Sequence, residues 1–172
     1  AGTSLAGRPT FDATWGPGYH WVYAQTKGNF NAEIVDSILV VWTRGPIQLV
    51  GIPDSISMPS NGISAPISFT AKDGNNNPLP NGTSIGAFVS FVSGVSDISF
   101  SISGDLPATL PNAAFARFPG SGVTDFSFRV VDNSKGTTTG ITVTVTITVT
   151  SPGLGGSGPA IVKSKSFTVK IL

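Results

Sequence analysis

Few side chains in this sequence could move a proton or share an electron pair. Glu33 is the only glutamate, eight aspartates are scattered, His20 is the only histidine, and cysteine is absent. A zinc site needs three or four His, Cys or carboxylate ligands held together, and that inventory does not suggest one. A glycosidase needs two carboxylates across one cleft. Spacing alone does not exclude Asp54 facing Asp73, but nothing marks such a pair. Gly82-Thr83-Ser84-Ile85-Gly86 has the form of the G-x-S-x-G nucleophile turn. That turn works between a strand and a helix, with a histidine to take the serine proton. Here it lies between a Pro/Asn/Gly turn and the apolar Ala87-Phe88-Val89, and the single histidine precedes it. We read a chance match, and no enzyme.

Three motifs suggest binding instead. Asp73-Gly74-Asn75-Asn76-Asn77 sets oxygen side chains at alternate positions, as the start of a calcium loop does. The later glycine and bidentate glutamate are missing, with Pro78 and Ser84 in their places. An Asx turn is therefore expected, and Asp73, Asn75 and Asn77 are the ligands to test if Ca²⁺ binds; no other cofactor is implied. Asn81-Gly82-Thr83 is an N-glycosylation sequon. Trp15 begins an aromatic run in which Tyr19, Trp21 and Tyr23 would share one face of a strand. Such a row serves as a platform for sugar rings, or as the filling of a core or subunit interface. Neighbouring acids and amides that would bind sugar hydroxyls are lacking, which favours the latter.

The elements that must carry these residues are strands. Ile141 to Thr150 alternates β-branched apolar residues with threonine, a period of two that only a half-buried strand satisfies. Ile98/Phe100/Ile102, Phe126/Phe128/Val130, Ile67/Phe69/Ala71 and Phe167/Val169/Ile171 alternate in the same way with polar partners. Gly/Pro/Asn clusters punctuate them, and no amphipathic helical stretch of ten residues occurs. The pattern predicts an all-β, antiparallel β-sandwich, immunoglobulin-like or jelly-roll-like, with extra N-terminal strands. Residues 53–172 form the main sandwich, and residues 1–52 supply strands or an assembly extension packed on it. Within the latter, Ile34 to Val41 reads as a central strand buried on both faces, continued by Ile47 to Val50. The glycine-rich stretch 151–159 reads as the tip of an antiparallel hairpin.

Pro53-Asp54-Ser55-Ile56-Ser57-Met58-Pro59, Pro66 to Asn75, Pro78-Leu79-Pro80-Asn81-Gly82, and Thr124 to Asn133 followed by the Val/Thr strand are turn and strand signals in sequence. Together they resemble the immunoglobulin-like domains of prokaryotic cell-surface proteins, over residues 53–150. The resemblance implies a protein that spaces, binds or assembles. The strand at 160–172 and the aromatic N-terminal fifty residues depart from it.

Charged residues are 11% of the chain, against about 25% in a usual soluble domain, and the formal charge is +1. No field exists to gather nucleic acid or anionic lipid. No apolar run approaches the ~20 residues of a membrane helix, so membrane insertion is not expected. A start at Ala1-Gly2-Thr3 without methionine is what signal-peptide removal leaves, so an extracellular or cell-surface location is expected. The leading functional expectation is a structural subunit of a self-assembling polymer: filament, thread, tube or layer. The alternatives are an adhesion or carbohydrate-binding module, which would make glycans partners, and a viral capsid or tail component. Copies of the chain are the expected partners, by strand exchange. Residues 1–14, with Leu5 and Phe11 as anchors, would add to a neighbour's sheet edge.

Overall fold

The computed structural model describes residues 14, 16, 18–43, 45–80, 82–90, 97–110, 124–152 and 159–172. They form three sheets, and no α-helix occurs among them. Strands β1 (Gly18–Lys27) and β2 (Glu33–Trp42) make a two-stranded ribbon. Strands β3 (Gln48–Val50), β5 (Ile67–Lys72), β9 (Asp125–Asp132) and β7 (Phe100–Gly104) make a four-stranded sheet, in the order β3-β5-β9-β7. The third sheet is β4-β11-β10-β6-β8, from β4 (Ser55–Met58), β11 (Ile161–Ile171), β10 (Thr142–Ser151), β6 (Ser84–Ser90) and β8 (Ala108–Thr109).

In chain order, the four-stranded sheet has the A-B-E-D order of an immunoglobulin sandwich, and β11-β10-β6 has its G-F-C order. The chain enters this sandwich through both layers: β3 pairs antiparallel with β5, then β4 crosses to lie parallel to β11. The expected all-β antiparallel sandwich is what forms, and β4–β11 is the one parallel pair among the described strands. The expected late hairpin is present, with β10 and β11 antiparallel from Thr142↔Lys170 to Ser151↔Ile161. Its tip lies outside the described residues.

The alternation places the core. Val143, Val145, Ile147 and Val149 are fully buried, as are Phe167, Val169 and Ile171 opposite them. From the facing sheet come Ile67, Phe69, Ala71, Phe126, Phe128 and Val130. The Phe128 and Phe167 rings meet across the layers at 6.3 Å, and Phe69 stacks on Phe126 at 5.5 Å. Aromatic pairs of this kind are worth about 0.5–1.5 kcal/mol beyond the area they bury; Phe128–Phe167 joins the layers without a disulfide, and Phe69–Phe126 ties β5 to β9 within one sheet. The threonines of β10 point outward, and Thr146 and Thr148 share hydrogen bonds with Ser166 and Ser164 at 2.8 and 3.0 Å. Those cross-strand hydroxyl pairs fix the β10–β11 register from the outer face.

Polar turns close one end. Asp132, at the end of β9, is buried and accepts hydrogen bonds from the Asn61 amide at 2.9 Å, the Ser134 amide at 3.0 Å and the Thr138 hydroxyl. Burial pushes this carboxyl up, but the bonds from Ser134, Thr138 and Asn61 outweigh burial and hold it below its ordinary value of 3.8. One carboxylate thereby joins two loops about seventy residues apart in sequence.

The segment expected to pack as N-terminal strands divides in two. Ile47 and Ile52 are buried in the sandwich core, with β3 between them. Residues 18–42 stand apart as the ribbon. The expected central strand at Ile34 to Val41 is corrected: β2 has β1 on one side and no described strand on the other. An apolar run records side-chain chemistry and cannot say whether a neighbour covers it.

Candidate functional site

The ribbon is the feature the sandwich does not explain. β1 and β2 pair over ten residues, from Gly18↔Trp42 to Lys27↔Glu33. Directly opposed residues share a face in such a pair. One face therefore carries Tyr19, Trp21 and Tyr23 with Leu39 and Val35. The other carries Val22 with Ile34, Ile38 and Val40. A ribbon lying on a core would be apolar on one face and polar on the other. This one is apolar on both.

Little of it is covered. Trp21, Tyr23, Ile34, Val35 and Ile38 are each more than half exposed, whereas Tyr19, Val22, Leu39 and Val40 are half-buried. Phe30, at the tip, is fully exposed. Its φ of 59° is left-handed, a conformation that costs a bulky residue energy. The Gly28 amide closes the tip turn by donating to the Ala32 carbonyl at 2.7 Å. On the first face the Gln25 amide donates to the Glu33 carboxylate, so these two polar groups beyond the aromatic row bond to each other. His20 Nε2 lies 3.2 Å from the Gly16 carbonyl oxygen, at the ribbon's base.

The expected aromatic row is thus one surface for Tyr19, Trp21 and Tyr23, while Trp15 lies outside the described residues, as do Leu5, Phe11 and Asn81. Sequence reasoning missed Phe30, Ile34, Val35 and Ile38 as surface residues. The signal was present: apolar side chains occupy both parities of β2, beside a strand whose aromatics occupy one.

The other motifs have local uses. The Asp73 carboxylate is buried and accepts from the Asn75 and Asn77 amides, both at 2.8 Å, and from the Asn77 side chain at 3.1 Å. This is the Asx turn, in which the carboxylate oxygens accept from the turn's own N–H groups. Asp54 is exposed and pairs with Lys165 at 3.7 Å, so it does not share a buried cleft with Asp73. Ser84 is an exposed residue at the start of β6, preceded by buried Thr83, which donates to the Pro80 carbonyl at 2.6 Å. No helix follows it, so the nucleophile turn is not formed. Among the described residues no three His, Cys, Asp or Glu side chains gather as a metal site. No helix among them is long and apolar enough to cross a membrane.

Two described stretches of strand edge are also open. β8 pairs with β6 only at Ser84 and Ile85, leaving Gly86–Ser90 with no described strand on the side away from β10. β4 pairs with β11 only from Thr168 to Ile171, leaving Ile161–Phe167 open in the same sense. Phe88 is 70% exposed on the first stretch, and Ile161 and Val162 are exposed on the second. Open edges of this kind recruit further strands. No family model matches the chain, and no curated protein matches its sequence.

Proposed function

We propose that the protein is a structural subunit that assembles with copies of itself at or outside the cell surface. The observation that carries this reading is the ribbon: ten-residue strands, apolar on both faces, exposed, and joined to neither sheet of the sandwich. An isolated two-stranded hairpin is marginal in water, and a cluster of exposed Trp, Tyr, Phe and Ile marks a contact surface. The low charge supports the same reading, because copies at +1 repel one another little. The immunoglobulin-like strand order and the resemblance to prokaryotic surface domains are in keeping with an extracellular setting.

Sedimentation velocity over a concentration series tests it. The wild-type chain is expected to sediment as higher-order species. Ile38→Asp, which puts a charge on the ribbon and touches no core residue, should sediment as a folded monomer. A wild-type chain that stays monomeric at every concentration sinks the proposal.

The shared face of Tyr19, Trp21 and Tyr23 favours a second reading, an adhesion module that stacks sugar rings on that row. A monomer retained on a glycan array, and released by Trp21→Ala, would support it.

A further inference from the structure

We infer that the outer edge of β2 pairs with the open Ile161–Phe167 edge of β11 in a neighbouring copy, joining subunits head to tail. This rests on the assembly reading above and names the surface that receives the ribbon. The two edges match in two respects.

The first is pairing capacity. β2 offers a ten-residue edge on the side away from β1, and β11 offers seven residues on the side away from β10. Addition of β2 there would continue a sheet, with main-chain hydrogen bonds supplied along the shared length. The open stretch of β6 is shorter, at five residues.

The second is charge. β2 carries Glu33 and Asp36 and no basic residue, whereas the open stretch of β11 carries no acidic residue and two lysines, Lys163 and Lys165, the second already held by the Ile52 carbonyl at 3.0 Å and Asp54 at 3.7 Å. β6 has no charge to offer. Opposite charges on facing strands set partner and register more than they add affinity. The same charges disfavour a ribbon meeting a second ribbon along β2, or one β11 edge meeting another.

Because the two edges are different parts of the chain, the contact is heterologous, and repetition yields a ring or an open filament.

The absence of cysteine makes the test direct. Ser37→Cys on β2 and Ser164→Cys on β11 each install the chain's only thiol at an exposed position. The two full-length variants are mixed under assembling conditions and treated with a short bifunctional maleimide. Covalent dimer is expected in the mixture and lost in either variant alone. Self-cross-linking of Ser37→Cys would show ribbon meeting ribbon and overturn the inference. So would a mixture that assembles as the wild type does but yields no dimer. A wild-type chain that never assembles removes the assembly reading itself, a result that sedimentation reports separately.

Discussion

Replacing Asp132 by asparagine should lower stability at neutral pH and leave it almost unchanged in strong acid. The carboxylate accepts on both oxygens: the Asn61 amide and Thr138 hydroxyl on Oδ2, and the Ser134 amide on Oδ1. Asparagine keeps the shape but has only one acceptor oxygen. With its carbonyl in the Oδ2 position, its NH₂ group faces the Ser134 amide, donor against donor. One bond to a charged acceptor is lost, and the others weaken as the charge goes. Bonds to charged groups contribute about 1.5–3 kcal/mol each, so Asp132→Asn should cost about 2–3 kcal/mol. For a chain of 172 residues each kcal/mol moves Tm by about 2–4 °C, giving a fall of about 4–12 °C near pH 7. The sign with pH follows from the direction of the shift. The folded carboxyl lies below its ordinary 3.8, so its contribution is complete above that value. It is lost as pH falls from 3.8 through the lower folded value, once the native carboxylate itself takes up a proton. Melting curves of both proteins from pH 7 to about pH 2 should therefore converge in acid. Other carboxylates titrate in both proteins and cancel in the difference. A gap as wide at about pH 2 as at pH 7 would refute a role for the charge.

Phe128→Ala, at a site that meets the Phe69 and Phe167 rings, should cost about 3–5 kcal/mol in urea unfolding. Phe88→Ala, on the open edge of β6, should stay within about 0.5 kcal/mol in the monomer. Gly104→Ala should destabilise by more than about 1 kcal/mol, because its φ is +121° and a Cβ there would lie 2.7 Å from the Ser127 carbonyl oxygen and 2.9 Å from Phe128 Cα. Equal stability of the two proteins in thermal melts would contradict that geometry. Asp73→Ala should cost about 2 kcal/mol by loss of its turn bonds, and millimolar calcium should move the Tm of neither protein. A calcium-dependent rise in the wild type would restore the metal reading.

How much of the molecule could be read from its sequence depends on which partner each side chain answers to. β10 was legible because its two faces meet different media, core and solvent, and Val against Thr records the difference residue by residue. The same holds for Phe126/Phe128/Val130 and for Phe167/Val169/Ile171. The parallel placement of β4 was not legible, since Ser55–Met58 would show the same alternation beside either sheet. The Asp73 turn was readable from its short polar side chains because Asn75 and Asn77 bond to it from within four residues. Asp132 was not, because its partners come from Asn61 and from a loop beyond its own strand.

The ribbon shows what that dependence leaves unanswered within one chain. β2 has the composition of a strand covered on both faces, and among the described residues Ile34, Val35 and Ile38 stay more than half exposed. Tertiary contacts within the chain do not resolve that conflict, because β1 is its only described neighbour and the edge beyond it is free. A sequence without local conflict would have placed polar residues on at least one face of a solvent-exposed ribbon. Val35, Leu39, Ile34 and Ile38 do the opposite, on both faces. Their most economical use is burial against a surface outside the chain.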